Sequence, residues 1–161
     1  LAHDDRLAQS ERVPVLQGPG GEGEDMSEKY SVAVSELKLH DKLLPGDPRW
    51  PTLNSSFRNL DISKNDLMEV VYYGHPITTH HSNKWRTTAN FLLGQHIGLD
   101  FDTEDKRSTL ASLAGDAFVS SYAAFAHTTI SHSEEKPRAR VIFLLDTPIM
   151  QAKNYALAAT A

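Results

Sequence analysis

The feature that most constrains this chain is an alternation of short apolar runs and polar breaks between residues 95 and 146. The run 96–102 (HIGLDFD) reads as a strand ending on two acids, Asp100 and Asp102. A helical pattern follows over 105–115, with Leu110, Leu113 and Ala114 facing inward. A second strand is expected over 122–128, then a polar turn with Ser131 and His132, then a third strand over 139–145 (ARVIFLL) entered through Arg138 and Arg140. Strand bodies are apolar and strand ends are polar. That order packs helices onto a sheet and gathers the polar ends where a site can form.

With 161 residues the chain is one domain with enough apolar surface for a core. Cysteine is absent, which excludes disulfides, thiolate catalysis and Cys-based zinc sites. No apolar run approaches the ~20 residues that span a bilayer, and no signal peptide opens the sequence, so a cytoplasmic protein without membrane contact is expected. The net charge of −5 resides in residues 1–28, which hold seven acids and two arginines; the rest balances at 14 acids and 14 bases. Any polyanionic partner would therefore meet local basic clusters rather than a basic surface. Residues 1–28, with Gly18-Pro19-Gly20-Gly21 and the acids that follow, read as a flexible acidic tail, with at most a short helix over 1–16.

Upstream of the central stretch, Val32, Val34 and Leu37 fit either a short strand or a helix, and Pro45-Gly46-Asp47-Pro48 forces a turn. Ser63 reads as the N-cap of a helix with Asp66 in its first turn, a stripe of Leu67, Val70 and Val71, and a stop at Gly74 and Pro76. The N-terminal part is expected to be helical. Residues 77–81 suggest one short strand, and His75, His80 and His81 match no zinc spacing. Downstream, Asp146-Thr147-Pro148 reads as a strand-to-helix turn, with Pro148 in the first turn of an alanine-rich helix over 149–161.

Asp100 and Asp102 alternate along a strand, so both carboxylates point to one side and Phe101 to the other. Two carboxylates at a strand end suit hard divalent ions with oxygen ligands; the plainer reading of a lone DxD is a solvated strand end with acids that cap the next helix. His132, with hydroxyls of Thr128, Thr129 and Ser131 nearby, can donate to a phosphate oxygen or be an ordinary turn histidine. Arg138 and Arg140, with Lys136, can cradle an anion or pair with Glu134 and Glu135. Lys84, Trp85 and Arg86 form a basic-aromatic patch suited to a nucleic-acid backbone, or a solvated loop.

Over about residues 57–161 the chain resembles the archaeo-eukaryotic primase superfamily, specifically the primase-polymerase domains of phage, plasmid and mobile-element replication proteins. The resemblance rests on RTTANF at 86–91, HIGLDFD at 96–102, TTISH at 128–132 and PRARVIFLLDTP at 137–148. It implies an RNA-recognition-like, mostly antiparallel sheet with flanking helices, an α+β variant of the α/β class, in a catalytic domain over 29–161. It further implies DNA primase and DNA polymerase activity. Asp100 and Asp102 would be catalytic and bind Mg2+ or Mn2+; His132, Ser131, Arg138 and Arg140 would hold an NTP or dNTP; Lys84 and Arg86 would touch the DNA template and primer. A replicative helicase domain in the same or a neighbouring chain is also implied. In the family's second motif a small residue stands two positions before the histidine; here that position is Ile130, and Ser131 is adjacent instead. The family's third metal-binding acid has no counterpart, so a C-terminally incomplete domain, inactive alone, is expected.

Two alternatives follow from the same residues. A non-catalytic nucleotide- or DNA-binding remnant would keep the fold with an incomplete metal site. A metal-dependent phosphatase of the haloacid-dehalogenase type also begins with an apolar strand and DxD, but there a Thr or Val usually stands where this chain has Glu104, and the motif lies near the start.

Overall fold

The computed structural model describes residues 15–17 and 28–160. The elements are β1 (Val15–Gln17), β2 (Lys29–Ser35), α1 (Trp50–Ser55), β3 (Phe57–Ser63), α2 (Lys64–Tyr72), β4 (Ile77–Thr78), β5 (His80–His81), β6 (Phe91–Phe101), α3 (Leu110–Ala114), α4 (Ala117–Tyr122), β7 (Phe125–Thr128), β8 (Ala139–Ile149) and α5 (Ala152–Ala158). They build two sheets, one ordered β1-β7-β8-β6-β5 and the other β3-β2-β4. Every pairing among the described residues is antiparallel. The class is α+β, with helices on mostly antiparallel sheets.

Strand alternation on β8 explains how the layers assemble. Ala139, Val141 and Phe143 face one way and pack with Ala126 of β7 against Leu113 and Val119 of α3 and α4. Ile142 and Leu144 face the other way and pack with Phe125 against Val32 and Val34 of β2 and Leu67 of α2. Both faces of the central strand are thus buried, which is why 139–145 reads as a continuous apolar run. Leu67 has no exposed surface, and its burial contributes about 2 kcal/mol. α2 starts where its sequence says it should: the Ser63 hydroxyl accepts from Asp66 N at 3.1 Å, and the chain leaves the helix through Gly74 at φ +83°.

Several boundaries differ from the sequence reading. The strand expected at 96–102 begins five residues earlier, at Phe91, and Asp102 lies just past its end. The helix expected over 105–115 is instead a 3-10 turn (Lys106–Ser108), α3 and then α4. Thr109, with extended backbone, caps α3, and the Asp116 side chain accepts from Phe118 N and Val119 N to start α4. Residue 122 therefore ends a helix, and the strand starts only at Phe125. β8 runs on to Ile149 rather than turning at Asp146-Thr147-Pro148. The ladder steps from His96↔Leu144 to Gly94↔Ile149, so residues 145–148 bulge opposite Gln95. Pro148 sits in that irregularity, where its missing N–H breaks no ladder bond.

Residues 77–81 split into two strands that join different sheets. The N-terminal part is not chiefly helical: a three-stranded sheet carries α1 and α2, because Val32 and Val34 both face the core from β2. Within the expected tail, Val15–Gln17 pair with Phe125, Ala126 and His127 of β7 and extend the larger sheet. The rest of the tail reading, residues 1–14 and 18–27, lies outside the described residues.

Candidate active site

β6, β8 and β7 carry the site in register. Asp100 of β6 stands opposite Arg140 of β8, which stands opposite His127 of β7. All three share the sheet face of Ile142 and Leu144, beyond the end that the second sheet covers. Arg140 Nε and Nη2 donate to the two Asp100 oxygens at 2.6 and 2.9 Å, a forked ion pair. The Arg140 hydrogen bonds hold the Asp100 carboxyl below its ordinary value, and Asp100 raises Arg140 in turn. Both side chains are about half exposed, so the pair contributes at most about 1 kcal/mol after solvent screening. His127 Nδ1 bonds Thr128 O at 2.8 Å, and burial lowers its pKa.

One step further along, Arg138 and Lys136 both reach Glu104, Lys136 at 3.2 Å. The Arg138 hydrogen bond, then that of Lys136, lowers the Glu104 pKa. Glu104 takes a left-handed backbone, φ +57°, which turns the chain out of β6 towards the β7–β8 turn. Arg138 Nε is buried without a partner. Asp102 is exposed and adds, after Glu104 and Asp100, to the charge that raises Arg138 and Arg140. The basic pair therefore does not engage Glu134 and Glu135; acids at the end of β6 take that role.

His132 lies in the β7–β8 turn. Its backbone N–H donates to Thr129 O at 3.0 Å, and its Nδ1 accepts from Arg138 N at 3.1 Å. With Nδ1 accepting, the neutral ring carries its proton on Nε2, which is left as an outward donor. Ser131 is half-buried in the same turn. The structure thus brings Asp100, Asp102, Ser131, His132, Arg138 and Arg140 to one end of one sheet. Arg86, and the 82–84 turn that holds Lys84, do not join them: they precede β6, and Asp100 lies nine strand steps beyond Phe91, about 30 Å at full extension.

The three upstream histidines bond backbone carbonyls: His75 to Ser35 O, His80 to Leu60 O and His81 to Thr79 O. Among the described residues no group of three His, Asp or Glu side chains gathers into a metal-holding cluster, and no helix is long and apolar enough to cross a membrane.

Three contributors escaped the sequence reading. His127 follows Phe125 by two on an apolar strand, a spacing that put it on the same face and was a usable signal. Glu104 stood two positions after Asp102 and showed no sign of its cross-strand partners. Gln95 joins the layers, accepting from Ser31 N of β2 and donating to Leu145 O of β8, both at 3.0 Å; only the packed sheets reveal that. No family model, curated protein sequence or solved structure gives a significant match to this chain.

Proposed function

We propose that this domain carries out template-directed nucleotidyl transfer, as a DNA primase or polymerase does. The observation that carries the reading is the convergence of Asp100 and Asp102 with Arg138, Arg140 and His132 at one strand end. A hard divalent ion in such a site takes one or two carboxylates and completes its shell with water and substrate phosphate oxygens. The Asp100–Asp102 donor set fits Mg2+ or Mn2+ on that basis. The bound ion would neutralise phosphate charge at the reacting phosphorus.

The chain's own residues do the positioning. Arg140, released from Asp100, turns its fork to the triphosphate; Arg138 adds charge beside it; His132 Nε2–H donates to a phosphate oxygen. A primer or initiating-nucleotide 3′-oxygen then forms a bond to the α-phosphorus as the bond to the β-phosphate oxygen breaks. Pyrophosphate leaves and the hydroxyl proton passes to solvent.

A second reading, a nucleotide- or DNA-binding remnant without catalysis, is favoured by one observation: both Asp100 oxygens are engaged by Arg140 and no third acid stands with the pair among the described residues. Binding of labelled dATP and ATP, with and without Mn2+, in wild type and in Asp100→Ala/Asp102→Ala tests the metal site. Mn2+-dependent binding that the double variant loses is the expected result. Metal-independent binding, equal in both proteins, would overturn the assignment. Pyrophosphate release on a primed template then separates polymerase from remnant.

A further inference from the structure

At the far end of β6 from the acidic pair, a cavity of about 230 Å3 opens between β3, β5 and the 82–86 segment. Its walls include Phe57, Arg58, His81, Asn83, Arg86 and Leu92. We propose that this cavity holds a phosphodiester of single-stranded DNA, at a site separate from the Asp100 end. The identity of the strand rests on the proposed function; the anion site itself stands on the following geometry.

Two guanidinium groups face one cavity, and neither is saturated. Arg58 gives Nε to Glu36 at 2.9 Å, but its Nη1 is buried with no acceptor. Leaving a buried charged donor unpaired costs more than the roughly 1–3 kcal/mol of a neutral one, so such a group marks a missing partner. Arg86 stacks on the Phe57 ring, 5.2 Å from guanidinium carbon to centroid. Among the described residues it takes part in no ion pair or side-chain hydrogen bond, so its forked donors remain unused. Burial lowers its pKa, yet a guanidinium stays charged at neutral pH.

The surrounding groups are already committed to building the wall. Asn59 Nδ2 donates to His81 O at 3.0 Å and its Oδ1 accepts from His81 N at 3.3 Å, tying β3 to β5 across the two sheets. His81 packs edge-on to Phe91. A tetrahedral phosphate takes two hydrogen bonds from the unpaired Arg86 fork through two of its oxygens, with Arg58 adding charge from the same wall. The volume is below the ~300 Å3 at which drug-sized ligands start, which suits one phosphate with its sugar. Trp85, 44% exposed beside Arg86, offers a platform on which a neighbouring base can stack.

The test measures anisotropy of a fluorescein-labelled dT12 oligonucleotide without metal, across a salt series, for wild type, Arg86→Gln and Arg58→Gln/Arg86→Gln. Arg86→Gln is the gentler variant, because among the described residues that side chain makes no ion pair or hydrogen bond and gives up only its stacking on Phe57. It is expected to weaken binding several-fold and to reduce the salt slope by about 1; the double variant is expected to lose at least tenfold. Mn2+-dependent dATP binding at the Asp100 end should be unchanged in both, so failure here and failure of the nucleotidyl-transfer reading are separately visible. Unchanged dT12 affinity in Arg86→Gln would overturn the proposal. So would displacement of the oligonucleotide by metal-free dATP or inorganic phosphate at comparable concentration, which would assign the cavity to a free phosphate ester.

Discussion

Substituting Gly94 tests how the C-terminal helix is locked onto the central strand. A Cβ added at Gly94 would lie 2.4 Å from both Cδ2 and Cε2 of Tyr155 and 2.9 Å from Thr79 Cγ2. Ordinary carbon contacts are about 3.5–4.0 Å, so the Tyr155 ring must move by about 1 Å. It cannot do so freely. Its hydroxyl donates to His96 O at 2.9 Å and its ring packs on Phe91 at 5.6 Å between centroids. Losing the hydrogen bond costs about 1 kcal/mol, losing the ring pair about 0.5–1 kcal/mol, and residual overpacking about 1–3 kcal/mol. The reduced freedom of the unfolded alanine chain returns about 0.4–1 kcal/mol. Gly94→Ala is therefore expected to destabilise by about 2–4 kcal/mol, a fall in Tm of roughly 5–10 °C for a chain of this size.

Urea titration followed by circular dichroism measures it, and Tyr155→Ala supplies the cycle. With the ring removed, Gly94→Ala should cost under about 1 kcal/mol, the remainder coming from Thr79. A cost below about 0.5 kcal/mol in wild type, or an undiminished cost in the Tyr155→Ala background, would refute the reasoning.

Two further outcomes follow from buried polar groups. His96 is 4% exposed with an unpartnered Nδ1, and burial, then the charges of His80 and Arg140, lowers its pKa to about 4. Because the unfolded imidazole titrates near 6.5, the unfolded state binds the proton first; the stabilisation is full above that pH and is lost as pH falls towards 4. The expected loss between pH 8 and pH 5 is about 2 kcal/mol, and His96→Gln should flatten that slope in urea midpoints; an equal slope in the variant would exclude His96 as its source. Ser63→Ala removes the N-cap of α2 and should cost about 1 kcal/mol, with Ser63→Asn recovering most of it; a neutral alanine variant would show that tertiary packing alone holds the helix start.

Local rules carried much of the chain. The Ser63 cap, the left-handed exit at Gly74, the turn at Gly46 and the apolar body of β8 are short-range consequences of side-chain and backbone chemistry, and they stand as the sequence implies. Errors cluster where periodicity is interrupted by a neighbour. The helical pattern expected over 105–115 breaks into a 3-10 turn and α3 because Thr109 offers a cap that competes with continuation, and Asp116 caps a further helix, α4, just before the strand expected from residue 122. Pro148 reads as a helix start because local rules cannot see that residues 145–148 face Gln95 across a bulge.

The candidate site divides along the same line. The acidic end of the 96–102 run already marked Asp100 and Asp102, although Asp102 lies just past the end of β6, and residue type already marked His132, Arg138 and Arg140 as phosphate-compatible. Their partners were not legible. Glu134 and Glu135 are nearest in sequence to the arginines, but Asp100 and Glu104 hold them, because strand register brings positions about 35 to 40 residues apart into contact. The sequence by itself determined which faces are apolar, where caps and turns fall and which side chains can meet phosphate or metal, since these depend on residues a few positions apart. Only the tertiary structure decided register: that Arg140 neutralises Asp100, that Gln95 joins the sheets and that Arg58 and Arg86 share a cavity. Those outcomes depend on cross-strand distances that no local period encodes.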